Sequence, residues 1–190
     1  MQNPITKAGA ALAIALLPLV TACSGDQDSE TGPVQTREEA TLTLATALSE
    51  DRSLGTVLDA MQDSGLSGVL EGSASYTILA PNDAAFTALG DQGSELLEED
   101  QQAILIAILR DHLLPGHLTP ESITNAIKSQ GGPVTMTTLG GTSVTFSKSS
   151  DGITVSTGGA SSATLVGTAI AANNGVVIPI DAVLLPPRDD

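Results

Sequence analysis

The chain is poor in aromatic, cysteine and basic residues. Its three aromatics are Tyr76, Phe86 and Phe146, so a core must be built from aliphatic side chains, and the aromatic platforms typical of sugar recognition are scarce. Its single cysteine, Cys23, excludes an intrachain disulfide. Seven Lys and Arg against 22 Asp and Glu give a net charge of -15, which argues against nucleic-acid binding and favours solvation over recruitment of cations or a basic partner.

Residues 1–22 have the pattern of an export signal. Lys7 supplies positive charge near the start, and the apolar run at 8–20 follows it. That run is shorter than the ~20 apolar residues of a membrane-spanning helix. The sequence therefore predicts a signal peptide that ends before Cys23.

Cys23 lies where a bacterial lipobox requires a cysteine. Residues 20–23 read VTAC, in which an aliphatic and two small residues precede the thiol that accepts a diacylglycerol. We expect a lipidated, membrane-anchored, extracytoplasmic protein, because two or more acyl chains anchor stably. In a Gram-negative cell this means the outer membrane or periplasm, and otherwise the cell surface. An ordinary signal peptide with a stray cysteine is the alternative.

Residues 23–40 are polar and acidic, with few large apolar side chains. This composition predicts a disordered tether that holds the domain away from the membrane. The run at 26–30 (DQDSE) faintly resembles a calcium loop, but the glycine is displaced to Gly32 and Arg37 would occupy the twelfth position. A solvated spacer is preferred, and we predict neither a metal nor a cofactor.

A folded domain is expected at 41–188, with helices first and strands later. Apolar spacing predicts helices within 41–48, 51–70 and 94–113, the last with Ile104, Leu105, Ile108 and Leu109 as its buried stripe. Alternating patterns predict strands at 134–138, 143–147, 153–156 and 163–169 and an apolar strand after 174–175. This order predicts an α+β fold.

Residues 76–89 (YTILAPNDAAFTAL) predict a strand that turns directly into a helix. Tyr76 begins a β-branched and apolar run, and Pro81 should end it because proline cannot donate to a ladder. Asn82 is a favourable N-cap, and Asp83 places a negative charge in the first helical turn.

This segment resembles the first signature block of the fasciclin (FAS1) domain family. Residues 112–119 (HLLPGHLT) and 174–186 (NGVVIPIDAVLLP) resemble its central and closing blocks. Three blocks in family order imply the fasciclin wedge, in which helices pack beside a β-sandwich. The resemblance implies mainly structural roles for the matching residues. These are Thr77, Ala80, Pro81, Asn82, Asp83, Phe86, His112, Pro115, Gly116, Asn174, Gly175 and Asp181.

Two positions depart from the family pattern. Asp111 replaces the tyrosine of a Tyr-His pair in a region implicated in integrin binding in some animal relatives, so that binding is not expected here. Ile178 replaces a histidine of the closing block and is followed by Pro179. A proline there should interrupt the ladder unless its strand lies at an edge or is bulged.

The resemblance implies an adhesion or protein-interaction module of the cell surface or envelope, not an enzyme. His112 is expected to make a structural hydrogen bond and His117 to be exposed, and the sequence has no nucleophile elbow, zinc cluster or phosphate loop.

Expected partners are the membrane, through Cys23, and an envelope or extracellular protein; the oligomeric state is open. The alternative is an extracytoplasmic binder of a polysaccharide or a small apolar or lipid ligand. Substitution of Asp83 or Asp181 should lower the melting temperature.

Overall fold

A computed structural model describes residues 34–158 and 161–186. The predicted signal peptide, Cys23 and the first part of the tether lie outside the described residues. The helices are α1 (Leu44–Glu50), α2 (Gly55–Asp63), α3 (Ser67–Glu71), α4 (Asp83–Ala88), α5 (Asp91–Leu96), α6 (Gln102–Asp111) and α7 (Pro120–Gln130). The strands are β1 (Gln35–Glu39), β2 (Tyr76–Pro81), β3 (Leu113–Pro115), β4 (Val134–Thr137), β5 (Ser143–Ser149), β6 (Gly152–Thr157), β7 (Ser161–Thr164), β8 (Thr168–Ala172) and β9 (Gly175–Ile180). None of the helices in these ranges has the length and apolar character needed to cross a bilayer.

The strands form two sheets, one mixed and one antiparallel. The first has the order β1-β8-β9-β2-β3, in which β1 is parallel to β8 and β2 is parallel to β9. The second has the order β4-β5-β6-β7 and is antiparallel throughout. With the helices, this arrangement confirms the predicted α+β class.

The five-stranded sheet is buried on both faces, so the fold has three layers. Because side chains alternate along a strand, Ile78 and Val177 point to one face while Leu79 and Ile178 point to the other. The first face packs against α1, α2, α3 and α6 and forms what we call the helical core. The second packs against the four-stranded sheet and α7, around Phe146, and forms the sheet core.

The first strand corrects the predicted boundary of the tether. Residues 35–39 pair with β8 in register from Gln35 opposite Thr168 to Glu39 opposite Ala172. The pairing uses backbone groups, so a polar edge strand carries no apolar pattern that would separate it from a spacer. The fold therefore includes residues assigned above to a disordered tether.

Three further expectations are corrected. Strand β2 continues through Pro81, which pairs with Ile180 at its end. The strand expected at 163–169 is two strands, β7 and β8, separated at Gly167, where φ is +63°. Ile104, expected in the buried stripe of α6, is 54% exposed.

Pro179 lies in a central strand, at a point where the ladder between β8 and β9 has already ended at Ile170 opposite Val177. The Pro179 carbonyl accepts a hydrogen bond from the Val166 N–H at 2.9 Å, whereas the Ile180 carbonyl accepts from the Asn82 N–H at 3.0 Å on the opposite side. The nitrogen of Pro179 therefore faces the connection between β7 and β8, where the β8–β9 ladder is interrupted, so the parallel pairing with β2 loses no donor.

Candidate functional site

The corner between β2 and α4 is held by two polar side chains. The Asn82 side-chain oxygen accepts a hydrogen bond from the Ala85 N–H at 2.8 Å, as expected of an N-cap. Asp83 lies in the first turn of α4, and its carboxylate also accepts from the Thr56 N–H at 2.9 Å in the first turn of α2. One carboxylate therefore stabilises the N-terminal ends of two helices, α2 and α4.

Thr77 joins the first motif block to the central block. Its buried hydroxyl donates to the Gly116 carbonyl at 2.8 Å and accepts from the Leu118 N–H at 2.8 Å. Gly116 has φ of 97°, which favours glycine. The hydroxyl therefore fixes the loop that follows Pro115.

Asn174 joins the closing block to two helices. Its side-chain oxygen accepts from the Leu44 N–H at 2.8 Å, at the start of α1. Its amide donates to the carbonyls of Leu70 and Gly72, each at 3.0 Å, at the end of α3. The side chain is buried, so these bonds replace those that water would make.

Three other matched residues lie at close contacts in the interior. A Cβ added at Gly175 would overlap with the Tyr76 carbonyl oxygen, so only glycine allows this approach of β9 to β2. Ala80 and Phe86 are buried in the helical core.

Asp181 could bond backbone groups where the last strand meets the first motif block. Its carboxylate instead accepts from the Thr164 N–H at 2.6 Å, and its own N–H donates to the Thr164 carbonyl at 3.1 Å. Asp181 therefore fastens the end of β9 to β7. The link to the first block is made by the neighbouring Ile180 carbonyl and the Asn82 N–H.

His112 uses both ring nitrogens inside the protein. Nδ1 lies 2.8 Å from the Ile108 carbonyl, and Nε2 accepts from the Leu184 N–H at 3.0 Å, which assigns the proton to Nδ1. Burial lowers the pKa of His112 and outweighs the Ile108 bond and the Asp111 charge, which raise it. The ring is therefore neutral and connects the end of α6 to the segment that follows β9. His117 is exposed, as expected.

Asp111, which departs from the family pattern, also points inward. It is buried, and its carboxylate accepts from the Thr138 hydroxyl at 2.9 Å. A Cβ added at Gly140 would overlap with this carboxylate. Asp111 therefore ties the end of α6 to the turn between β4 and β5.

The polar motif residues are thus occupied by internal bonds, and the surface open to a partner is formed by other residues. One opening, the acidic cleft of about 780 Å³, lies between α2 and the start of α6 and carries Asp59, Asp63, Glu98 and Glu99. Its chemistry is that of a solvated acidic surface. In the ranges 34–158 and 161–186, no cluster of His, Asp and Glu has a metal-binding arrangement.

A second opening, the lysine cavity of about 500 Å³, lies between β1, α7 and the β5–β6 hairpin. Its lining is mostly apolar and includes Lys128 and Lys148. Sequence reasoning missed this cavity because its walls come from segments far apart in the chain. The only sequence signal was that two of the three lysines fall in the second half of the chain.

Several known proteins are similar to this chain. A family model described as Fasciclin domain matches residues 52–186. Protein sll1483 of Synechocystis sp. is 30% identical over 155 residues, which covers 80% of this chain and 78% of that protein. Transforming growth factor-beta-induced protein ig-h3 of Sus scrofa is 29% identical over 131 residues, which covers 69% of this chain but 17% of that protein.

The fold is also similar to a solved structure. The FAS1 domain pair from the insect cell adhesion molecule fasciclin I matches with a TM-score of 0.57 and 24% identity. The match covers 71% of this chain and 46% of the solved chain. At this identity the likeness concerns the fold alone.

Proposed function

This chain belongs to the fasciclin-domain family, and on that premise we propose that it is a lipid-anchored, extracytoplasmic module that binds an envelope or cell-surface protein. The match of the family model over residues 52–186 carries the proposal, because fasciclin domains are adhesion-type domains without enzymatic activity. A similar fold occurs in a protein described as an insect cell adhesion molecule. We extend that role, and the lack of catalysis, to this chain.

The internal bonds of the motif residues support a binding role for other parts of the surface. His112 and Asp111 are both buried and hydrogen-bonded, so neither is available to a partner or a substrate. Recognition is therefore assigned to exposed residues, among them Leu97, which is 43% exposed beside the acidic cleft. Apolar side chains within polar surroundings are typical anchors of protein interfaces.

Lipid anchoring rests on Cys23 and is tested by Cys23→Ala. This change removes the thiol that would carry the diacylglycerol, so the protein should move from the membrane fraction to the soluble fraction. Ser29→Ala, further along the same segment, is the matched control and should stay with the membrane. A Cys23→Ala protein that remains membrane-bound would show the anchor to be wrong.

The binding role is tested by capture of envelope components on the soluble Cys23→Ala chain. Saturable capture of one protein is expected, with loss of capture in a surface variant that keeps its melting temperature. If only purified glycan or lipid is captured, the protein-interaction role is wrong.

A further inference from the structure

The lysine cavity has the size and lining of a small-molecule site. Its volume of about 500 Å³ lies within the ~300–1,000 Å³ range of ligand pockets. Val34, Ile127 and Ile153 line it, and all three are partly buried side chains that pack against the sheet core. The cavity therefore offers an aliphatic floor continuous with the interior.

Both lysines of the described residues line this cavity. Lys148 lies directly opposite Ile153 across the β5–β6 ladder, so the two side chains share a face. Lys128 lies in the last turn of α7, beside Ile127. Where the structure describes the chain, both ion pairs are made by Arg37, so neither lysine is neutralised by a carboxylate.

The third charged group in the lining is already engaged. The Glu121 carboxylate accepts a hydrogen bond from the Thr36 hydroxyl at 2.7 Å. Interaction with the C-terminal end of α7 would explain Lys128 alone, but it does not explain Lys148 on β5. Two unpaired cations at an apolar cavity are unusual on a chain with a net charge of -15.

We propose that the lysine cavity binds an anionic amphiphile, with its aliphatic body on Val34, Ile127 and Ile153 and its carboxylate or phosphate at Lys128 and Lys148. The aliphatic part would gain from leaving water, and the anionic head would form charge-assisted hydrogen bonds with the ammonium groups. This inference goes beyond the proposed protein-binding role and does not depend on it.

The first test is calorimetric titration of the Cys23→Ala chain with decanoate and decyl phosphate below their micelle concentrations. Both should bind with one-to-one stoichiometry, and hexanoate should bind at least about tenfold more weakly because it buries fewer methylene groups. Inorganic phosphate alone should not compete. Competition by phosphate alone would mean an anion site without an apolar component and would overturn the proposal.

Decyltrimethylammonium is the most direct control for the charge of the head group, because it has a ten-carbon tail like decyl phosphate but a cationic head. The overall charge of the protein attracts this cation and repels decanoate. Preference for decanoate would therefore have to come from the local lysines. Equal or tighter binding of the cation would overturn the proposal.

The second test removes the two positive charges with Lys128→Gln and Lys148→Gln together. Both side chains are exposed, so the fold should be retained, and decanoate should bind about tenfold more weakly. The matched control is Arg52→Gln with Arg110→Gln, which changes the net charge equally away from the cavity. That control should alter affinity by no more than about twofold.

Two results would contradict the assignment. Undiminished decanoate binding by the double lysine variant would place the ligand elsewhere. A decline of decanoate binding with rising protein concentration, accompanied by dimer formation, would assign the cavity to a second copy of the chain.

Discussion

His112 connects α6 to the segment after β9 through a neutral ring, and this predicts a specific pH dependence of stability. In the unfolded chain its pKa is near 6.5, whereas burial lowers the pKa in the folded state. As the pH falls below about 6.5, the unfolded state binds the proton first, so the stabilisation from His112 is full above that pH and is lost toward the folded pKa.

We therefore expect His112→Gln to reduce the free energy of unfolding by about 2 kcal/mol near pH 7.5, because the buried Leu184 N–H loses its acceptor. The variant should also lose less stability than the native chain when the pH is lowered to about 5.5. Urea unfolding at the two pH values measures both effects. His117→Gln, at the exposed histidine, should behave as the native chain, and an unchanged pH slope in His112→Gln would refute the interpretation.

Asn174 is a second residue whose replacement should lower the stability of the fold. Asn174→Ala leaves the Leu44 N–H and the carbonyls of Leu70 and Gly72 without their buried partner. We expect the free energy of unfolding to fall by about 2 to 4 kcal/mol. Asn173→Ala, at the exposed neighbour, is the control and should change it by less than about 0.5 kcal/mol. Similar melting temperatures for the two variants would contradict this role.

The resemblance implied structural roles for the matching residues, but it did not give their partners. Asn82 was identified as an N-cap because its partner, Ala85, is only three residues away. The bonds of Asn174 to Leu44 and of His112 to Leu184 join residues 130 and 72 positions apart. Such pairs depend on the packing of whole layers, which local patterns do not specify.

At the scale of elements, β1 shows that a polar segment can stabilise the fold by pairing with the edge of a sheet. Residues 35–39 cover the edge of β8 with backbone pairing, and Val34 packs against the sheet core. A chain that begins at Thr41 should therefore be less stable than one that begins at Val34, by about 2 to 4 kcal/mol. It should also aggregate more readily, because β8 becomes an exposed edge. Urea unfolding and size-exclusion chromatography measure the two effects.

Equal stability of the two chains would restore the original boundary of the tether at residue 40. The failure to predict β1 has a physical reason. The segment QTREE has no apolar alternation, and its stabilisation comes from the backbone and from the neighbouring β8.

Other elements could be predicted from sequence where the residues that determine them lie close together in the chain. The helix that follows Asn82 was predicted, because its cap and its first-turn Asp83 are adjacent in sequence. The break between β7 and β8 was not, because Ala163 to Ala169 is uninterrupted in apolar and β-branched content except at Gly167. The lysine cavity could not be predicted either, because its walls come from elements that are distant in the sequence.

At the scale of the whole molecule, the excess of acidic residues predicts a salt effect. A net charge of -15 on the whole chain causes self-repulsion, and the ion pairs found in the described ranges both involve the exposed Arg37. Raising NaCl from about 0.02 to about 0.5 M shortens the screening distance from over 20 Å to about 4 Å, so the repulsion should weaken. The melting temperature at about pH 7.5 should therefore rise by several degrees.

The control for this prediction is the same salt change at a pH near the isoelectric point of about 4.1. There the net charge is close to zero, so the increase should disappear if self-repulsion is its cause. Replacing NaCl with KCl should give the same rise, because screening depends on ionic strength and not on the identity of the monovalent cation. A melting temperature that falls with salt at pH 7.5 would mean that attractive ion pairs outweigh the repulsion. A rise of equal size at both pH values would assign the effect to stronger apolar burial in salt instead.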